Sequence, residues 1–343
     1  MARAQLRHRF LAGKLLDVPA GKLFGIAGKE AKMAIRRLVP LVLLGAASLA
    51  VFSACSSGTR AEPGNGGAQA PSLEVSLQPT SALQPTSALP PTSALPPTNG
   101  LFDYQLGGAY EQVRTESGDV GIDVVVRDSQ AEPLPGAYNI CYVNGFQTQP
   151  GQQGEWLEGH GGALLRDTAG EPVVDPEWPD EYVLDPSTPD QREEILLVVG
   201  PMIDACVEKG YSAVEIDNLD TWMRFPGIDE AGALELARDY TERAHEAGLA
   251  VGQKNAAEIA EVAKHELGFD FAIAEECAAW EECSAYTAVY GEHVLQIEYP
   301  DSLVDAGMTF EDVCGLDSRA PLTILRDRDL VTREGDGYVY SSC

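Results

Sequence analysis

The sequence is poor in positive charge. Its 343 residues contain 24 Lys and Arg against 53 Asp and Glu, which gives a formal net charge of -29. Residues 1–55 carry nine Lys and Arg and two Asp and Glu, so residues 56–343 have a net charge of -36. Such a chain is a poor partner for nucleic acid and for anionic lipid. The acidic surface is either simply solvated or attracts a cationic ligand.

Histidine is also scarce, with five residues in the chain and none within ten positions of Asp217. No CxxC pair or Cys/His cluster has the spacing of a zinc site. A hydrolase or deacetylase that holds a metal through Asp217 and Asp220 is therefore the weakest functional alternative. We expect neither a metal nor another cofactor.

Six cysteines follow Cys55, and an even number in an exported domain predicts up to three disulfides. The sequence alone does not choose among the fifteen ways of pairing six cysteines. Cys277 and Cys283 are close enough to close a small loop, and a Cys314–Cys343 bond would tie the last residue to the fold. The six disulfide candidates are Cys141, Cys206, Cys277, Cys283, Cys314 and Cys343.

Long apolar runs are absent except near the start of the chain. Residues 33–55, MAIRRLVPLVLLGAASLAVFSAC, have the basic start, apolar run and small-residue end of a secretory signal. The final FSAC resembles a bacterial lipobox, which predicts lipidation of Cys55. An ordinary signal peptide or a short transmembrane anchor is the alternative. Residues 1–32 fit neither, so we interpret them as an upstream extension that precedes the true start at Met33.

Residues 56–98 form a predicted linker. Residues 77–98 repeat the unit LQPTSA or LPPTSA, and this density of Pro, Thr and Ser buries too little apolar surface to fold. The linker would hold residues 99–343 away from a membrane or wall. We therefore expect a lipoprotein on the extracellular face of the membrane, or a secreted protein.

Residues 99–343 have the length of one barrel domain, and strand-like and helix-like segments alternate along them. Amphipathic helices are predicted over 189–208, 229–247 and 256–267. Eight strands with intervening helices favour a parallel (β/α)8 TIM barrel over an open sheet. The predicted strands are 102–106, 121–126, 138–144, 213–216, 249–253, 269–273, 294–297 and 322–325.

Polar residues cluster where these strands end. A barrel core requires apolar layers, so a ring of polar strand ends predicts the C-terminal mouth, where active sites of this fold lie. Each member alone could be a loop cap or a surface charge. The ring comprises Gln105, Asp123, Tyr142, Asn144, Asp217, Asn218, Lys254, Asn255, Glu275, Glu298 and Tyr299.

Two acidic strand ends are the most informative part of the ring. YSAVEIDNLD at 211–220 and FDFAIAEEC at 269–277 both run from apolar residues into carboxylates. Buried carboxylates are costly unless they are solvated, paired or used in chemistry. Two carboxylates facing one mouth are the minimum equipment for glycoside hydrolysis.

These two segments, together with VGQKNAAEI at 251–259, WEEC at 280–283 and VLQIEY at 294–299, resemble glycoside hydrolase family 114. Its members are secreted endo-α-1,4-polygalactosaminidases with a TIM-barrel fold. The resemblance runs from about residue 102 to the last residue. It implies Asp217 and Glu275 as the catalytic pair, and it favours a retaining mechanism. We assign Glu275 as the acid/base and Asp217 as the nucleophile, and the reverse assignment is the alternative.

The resemblance also implies which residues line the sugar subsite. They are Tyr142, Asn218, Lys254, Asn255 and Glu298. Two further candidates come from the residues themselves: Asp123, from the polar ring, and Trp222, which could serve as a sugar platform or simply pack. The sequence departs from the family pattern at Ala274, where Asn is usual before the second catalytic Glu. It also departs at residues 144–147, NGFQ, after the third strand.

The implied partner is a cationic aminosugar polysaccharide, which suits an acidic domain. We expect a monomer that meets the membrane through its lipid anchor. The principal alternative is a tethered barrel that binds aminosugar polymers without cleaving them. Glu215 and Asp220, which flank Asp217, are interpreted as tuning or structural groups.

Overall fold

The computed structural model describes residues 94–343. The predicted extension, signal peptide, Cys55 and nearly all of the linker lie outside the described residues. Residues 94–98, the end of the predicted linker, contact the barrel: the Tyr138 hydroxyl donates to the Ala94 carbonyl, and His293 Nδ1 lies 3.1 Å from the Pro96 carbonyl. The last five residues of the predicted linker are therefore among the described residues.

The main sheet of the described chain confirms the predicted barrel. It runs from β1 directly to β4 and then in chain order to β11, with parallel pairing between neighbours as far as β10. A hairpin of β2 and β3 forms a separate small sheet. The strands are β1 (Phe102–Gln105), β2 (Gln112–Thr115), β3 (Gly118–Gly121), β4 (Val124–Asp128), β5 (Tyr138–Asn144), β6 (Ala213–Asp217), β7 (Ala250–Lys254), β8 (Phe271–Glu275), β9 (Val294–Glu298), β10 (Leu322–Arg326) and β11 (Tyr340–Ser342).

β11 lies antiparallel to β10 at the seam of the barrel, where β10 would otherwise pair with β1. Side chains bridge this seam. Arg326 Nη1 lies 2.6 Å from Asp103 Oδ1, and the Tyr340 hydroxyl donates to the Phe102 carbonyl over 2.7 Å. The buried Arg326–Asp103 pair therefore joins the first and last parallel strands.

Helices lie between the later strands. α2 begins with a capping box in which Thr188 and Gln191 satisfy each other's backbone N–H groups, and it ends at Gly210 in the left-handed conformation. The helices are α1 (Gln153–Gly159), α2 (Pro189–Lys209), α3 (Thr221–Arg224), α4 (Glu230–Glu246), α5 (Ala260–Val262), α6 (Cys283–Tyr290), α7 (Pro300–Asp305) and α8 (Phe310–Cys314).

The predicted helix at 256–267 is wrong as a single element. Asn255 and Ala256 both have positive φ, so the chain turns sharply before the helix can start. It then forms a 3-10 turn at Ala257–Ile259, the short α5, and a π-helical turn at Ala263–Leu267 that ends at Gly268. The sharp turn places Asn255 at the mouth of the barrel.

Strand alternation divides the buried side chains into two layers. Tyr104, Ile273 and Ile297 belong to the cluster inside the barrel, whereas Val214 and Val251 pack between strands and helices. At Gly252 an added Cβ would lie 2.6 Å from the Phe271 ring, so the barrel interior has no room for a side chain there. The strand residues that face the barrel interior therefore form a filled core below the mouth.

Three disulfides are present: Cys141–Cys206, Cys277–Cys283 and Cys314–Cys343. The first joins β5 to α2, the second closes the segment after β8, and the third ties the last residue to α8. Within residues 94–343, no helix is both long enough and apolar enough to cross a membrane.

Candidate active site

Asp217 is the last residue of β6 and is fully buried. Its inward direction follows from alternation with Ile216, which packs on the helix side. The Tyr142 hydroxyl donates to Asp217 Oδ2 over 2.6 Å, and the Asn218 backbone N–H donates to Oδ1 over 2.8 Å. Asn218 has φ 64°, a left-handed conformation that Asn tolerates well. Two donors stabilise the ionised form of Asp217.

Glu275 is the last residue of β8, two barrel strands away. The Tyr299 hydroxyl donates to Glu275 Oε1 over 2.5 Å, and Asn255 Nδ2 donates to Oε2 over 3.1 Å. The Glu275 N–H in turn donates to Asn255 Oδ1 over 2.8 Å, which fixes the Asn255 amide. Burial raises the pKa of Glu275 above its usual value, against the lowering effect of Lys254 and of the donors. A carboxyl that favours its proton is suited to act as an acid.

Lys254, the last residue of β7, lies between the two carboxylates. Its Nζ is 3.1 Å from Glu275 Oε2 and 3.7 Å from Asp217 Oδ1. Burial lowers the pKa of Lys254, but the charges of Asp217, Glu275 and Glu215 outweigh burial and raise it above the usual value. One ammonium thus lies within 4 Å of an oxygen of each carboxylate, so Asp217 and Glu275 face the same point of the mouth.

Glu215 lies one layer below Asp217 on the same strand and is fully buried. Its Oε1 accepts from the Tyr104 hydroxyl over 2.9 Å and lies 3.3 Å from Lys254 Nζ. Its Oε2 has no hydrogen-bond partner among the described residues. Burial raises the pKa of Glu215 to about 7, although Lys254 acts in the opposite direction.

The long β5–α2 connection contributes a second polar layer beside Asp217. Asn144 Oδ1 accepts from Asn218 Nδ2 over 2.9 Å, and Asn144 Nδ2 donates to Glu181 over 3.1 Å. Arg224 Nη2 donates to Asn218 Oδ1 over 2.9 Å, and its Nη1 lies 2.7 Å from Asp175. This network holds Asn218 in place.

Four predicted binding residues, Tyr142, Asn218, Lys254 and Asn255, thus contact Asp217 or Glu275. Trp222 lies on α3, shortly after Asp217 in the sequence. It is half-buried and packs against the apolar layer between the strands and the helices. Its indole Nε1 has no hydrogen-bond partner among the described residues.

The prediction that Glu298 lines the sugar subsite is wrong. Side chains alternate along β9, and Leu295 and Ile297 fill the barrel, so Glu298 faces the helix layer. There its Oε1 accepts from the Ala278 N–H and from Gln296 Nε2, both over 2.8 Å. The next residue, Tyr299, is the one that points inward to Glu275.

The placement of Asp123 at the mouth is also wrong. The β2–β3 hairpin takes up residues 112–121, so the following strand starts only at Val124 and Asp123 precedes it. The exposed Asp123 carboxylate accepts from the Leu101 N–H over 2.7 Å at the opposite end of the barrel. Asp123 therefore stabilises the segment that leads into β1, and it lies far from the mouth where a ligand would bind.

Sequence reasoning did not assign roles to Tyr104, Tyr299 or Arg224. Tyr299 was a member of the polar ring without a role of its own, and in the structure it shares the inner layer with Ile297, two positions before it. Arg328, in the segment after β10, supports it: its guanidinium lies 4.7 Å from the Tyr299 ring centre and 2.7 Å from Glu276 Oε1. Glu276 itself has φ 60° and turns away from Glu275.

One group of potential metal ligands occurs in the described part of the chain. Cys277, Cys283 and Glu298 bring one ligand atom each within 4.8 Å of one another. Both sulfurs are joined in a disulfide, so they offer no thiolate to a metal.

A parallel eight-stranded barrel with two inward carboxylates on its fourth and sixth strands has the architecture of a TIM-barrel glycoside hydrolase. The model of glycoside-hydrolase family GH114 matches residues 82–343, and the chain belongs to this family.

The chain is also similar to solved structures. Ega3 from Aspergillus fumigatus, in complex with galactosamine, superposes with a TM-score of 0.55 at 19% identity, covering 73% of this chain and 97% of that one. The glycoside hydrolase domain of PelA from Pseudomonas aeruginosa gives a TM-score of 0.47 at 14% identity, covering 70% and 98%. No curated protein sequence matches the chain.

Proposed function

We propose that this glycoside hydrolase cleaves α-1,4-linked galactosamine polymers within the chain and with retention of configuration. The observation that carries the proposal is the arrangement of Asp217 and Glu275 around one ammonium at 3.7 and 3.1 Å. Membership of the family supports the substrate class, as does the galactosamine bound to Ega3.

The proposed reaction has two steps. Asp217 attacks C1 of the sugar while the bond from C1 to the glycosidic oxygen breaks, and Glu275 gives its proton to that oxygen. Water then attacks C1, Glu275 takes the proton from it, and the bond to Asp217 breaks. The hydrogen bonds that Asp217 accepts from Tyr142 and Asn218 favour its ionised form, and the raised pKa of Glu275 favours its protonated form.

The substrate in this proposal is a partly deacetylated, cationic polymer. Residues 56–343 carry a net charge of -36, so a cationic chain is attracted to the protein. Tyr142, Asn218 and Asn255 would contact both the carboxylates and the sugar. We further propose that Cys55 is lipidated and that the repeat linker holds the barrel outside the membrane, or that the protein is secreted.

The test is incubation of the full chain with deacetylated α-1,4-polygalactosamine, with mass spectrometry of the products. Short oligomers with the α configuration at early times, measured by NMR, are the expected result. Intact polymer that is nevertheless bound would instead favour a carbohydrate-binding barrel, and early β products would indicate inversion.

Three carboxylate variants test the residue assignment. We expect Glu275→Gln to lower kcat by about 10²- to 10⁴-fold. Asp217→Asn should lower it by at least about 10³-fold, because the nucleophile is lost. Asp123→Asn is the matched control, since it removes an equal charge at the far end of the barrel. Cleavage at the wild-type rate by either mouth variant would show that the catalytic pair is elsewhere.

A further inference from the structure

Lys254 has no donor left for a sugar. Its side chain is fully buried, and an ammonium offers three N–H groups. Nζ lies 2.8 Å from the Tyr104 hydroxyl, 3.1 Å from Glu275 Oε2 and 3.3 Å from Glu215 Oε1, with Asp217 Oδ1 slightly farther at 3.7 Å. These four oxygens, all from the protein, account for its hydrogen-bonding capacity.

The proposed reaction moves one negative charge between two of these oxygens. Before the first step Asp217 is ionised and Glu275 is protonated. In the covalent intermediate Asp217 is an ester, which is neutral, and Glu275 is ionised. The charge thus passes from one side of Lys254 to the other, and a fixed cation between the two stabilises both states with little rearrangement.

We propose that Lys254 is a positioning residue, a counter-ion shared by Asp217 and Glu275, and that Glu215 and Tyr104 hold its ammonium between them. This inference rests on the proposed two-carboxylate function. It replaces the role of sugar contact that the sequence suggested for Lys254.

Glu215 and Tyr104 form the support below the ammonium. The Tyr104 hydroxyl donates to Glu215 Oε1 over 2.9 Å and accepts from Lys254 over 2.8 Å, so its orientation is fixed by both. The ring of Tyr104 also lies 5.1 Å from Nζ. Both residues lie on strands of the barrel wall, β1 and β6, which makes the support rigid.

The charges balance if Glu215 is neutral. The titratable groups that face it are Tyr104 on β1, Asp217 on its own strand, Lys254 on β7 and Glu275 on β8. Burial raises its pKa to about 7, so it retains its proton in acidic solution. Lys254 then has one carboxylate charge to balance at each stage of the reaction.

The variant Lys254→Met tests the proposal. We expect kcat to fall by about 100-fold with KM changed by less than about threefold, because the lost cation acts on the carboxylates rather than on the sugar. Both limbs of the pH profile should move to higher pH, since Lys254 lowers the pKa of Glu275 and lies beside Asp217. Lys264→Met is the matched control, because Lys264 contacts the Val289 carbonyl outside the mouth.

A rise in KM, with both limbs of the pH profile unmoved in Lys254→Met, would overturn the proposal in favour of a sugar contact.

The second variant, Glu215→Gln, keeps the shape of the Glu215 side chain but cannot ionise. We expect the ratio of the variant's kcat to that of wild type to change as the pH passes about 7, where Glu215 ionises in the wild type and Gln has nothing to titrate. Equal loss of activity at every pH would overturn the assigned role of Glu215.

A measurement without substrate separates this proposal from the proposed function. Side-chain carboxyl signals from 13C NMR of the full chain give the titration of Glu275 in wild type and in Lys254→Met. Glu275 should titrate at higher pH in the variant, whatever polymer the enzyme cleaves. An unchanged titration would refute the counter-ion role, whereas failure to cleave galactosamine polymers would refute only the proposed function.

Discussion

Each of the two candidate catalytic carboxylates accepts a hydrogen bond from a tyrosine hydroxyl. Tyr142 donates to Asp217 over 2.6 Å, and Tyr299 donates to Glu275 over 2.5 Å. The Arg328 guanidinium stacks on the Tyr299 ring, which fixes the ring relative to Glu275. A hydrogen bond to an ionised carboxylate is stronger than one to a neutral carboxyl, so Tyr299 controls how readily Glu275 keeps its proton.

Tyr299→Phe should therefore raise the pKa of Glu275 further, because the lost hydrogen bond lowers it in the wild type. We expect the alkaline limb of kcat/KM to move to higher pH and kcat to fall by about tenfold, the equivalent of about 1.4 kcal/mol. Both are measured as pH–rate profiles. Tyr290→Phe is the control, since its hydroxyl donates to Gln253 in the outer layer. An alkaline limb that stays in place would contradict the role assigned to Tyr299.

The position of Asp217 and Glu275 at the mouth was predictable because each ends an apolar strand. Which way a strand-end residue faces was harder to predict on β9. Val294 and Leu295 are both apolar although they face opposite layers, because a barrel strand is buried on both sides. Without a polar face to set the register, Glu298 and Tyr299 were equally good candidates for the inward position.

At the scale of elements, the β2–β3 hairpin and the turn at Asn255 are the main departures from the prediction. The hairpin fills the connection between β1 and β4, where helical patterning is absent, and it displaces Asp123 from the mouth. The turn depends on positive φ at Asn255 and Ala256, and Ala gives no sequence signal for that conformation. Local propensity was overridden here because the Asn255 amide binds Glu275.

The end of α4 is joined to the start of β8 by a titrating pair. His245 Nε2 lies 2.8 Å from Asp270 Oδ2, and that carboxylate also accepts from the Val251 N–H over 2.8 Å. The hydrogen bond to Asp270 raises the pKa of His245, although burial acts against it. Protonated His245 therefore stabilises the packing of α4 on β7 and β8.

This pair predicts a pH-dependent contribution to stability. Because the pKa of His245 is raised on folding, its contribution is complete below the unfolded value of about 6.5 and is lost as pH rises through the folded value. The difference in unfolding free energy between wild type and His245→Gln should shrink from pH ~5.5 to ~8.5. Denaturant titrations at each pH measure it, and a constant difference across that range would exclude the linkage.

At the scale of the whole molecule, length and strand count predicted the barrel, but the pairing of Cys141 with Cys206 came only from the fold. Cys141 and Cys206 are 65 positions apart and meet because α2 packs back on β5. The two shorter loops were suggested by sequence proximity and by the position of Cys343. Long-range pairing of this kind depends on topology, which cysteine spacing does not encode.

Residues 56–343 carry a net charge of -36, and their combined electric field attracts a cationic polymer before it reaches the mouth of the barrel. Deacetylated galactosamine chains are cationic, whereas fully N-acetylated chains are neutral. Attraction should raise the association rate for the cationic form and should be screened by salt. We expect kcat/KM on the deacetylated polymer to fall by about tenfold from about 0.1 M to about 1 M NaCl, as the Debye length shortens from about 10 to about 3 Å.

The neutral N-acetylated polymer provides the matched comparison, because it carries no charge whose attraction salt could screen. Its kcat/KM, where measurable, should change by less than about twofold over the same range of salt. For the cationic polymer kcat should stay constant, since the buried carboxylates and Lys254 are shielded from salt. Equal salt dependence for both polymers would mean that the acidic surface is only solvated and that recognition depends on the mouth of the barrel alone.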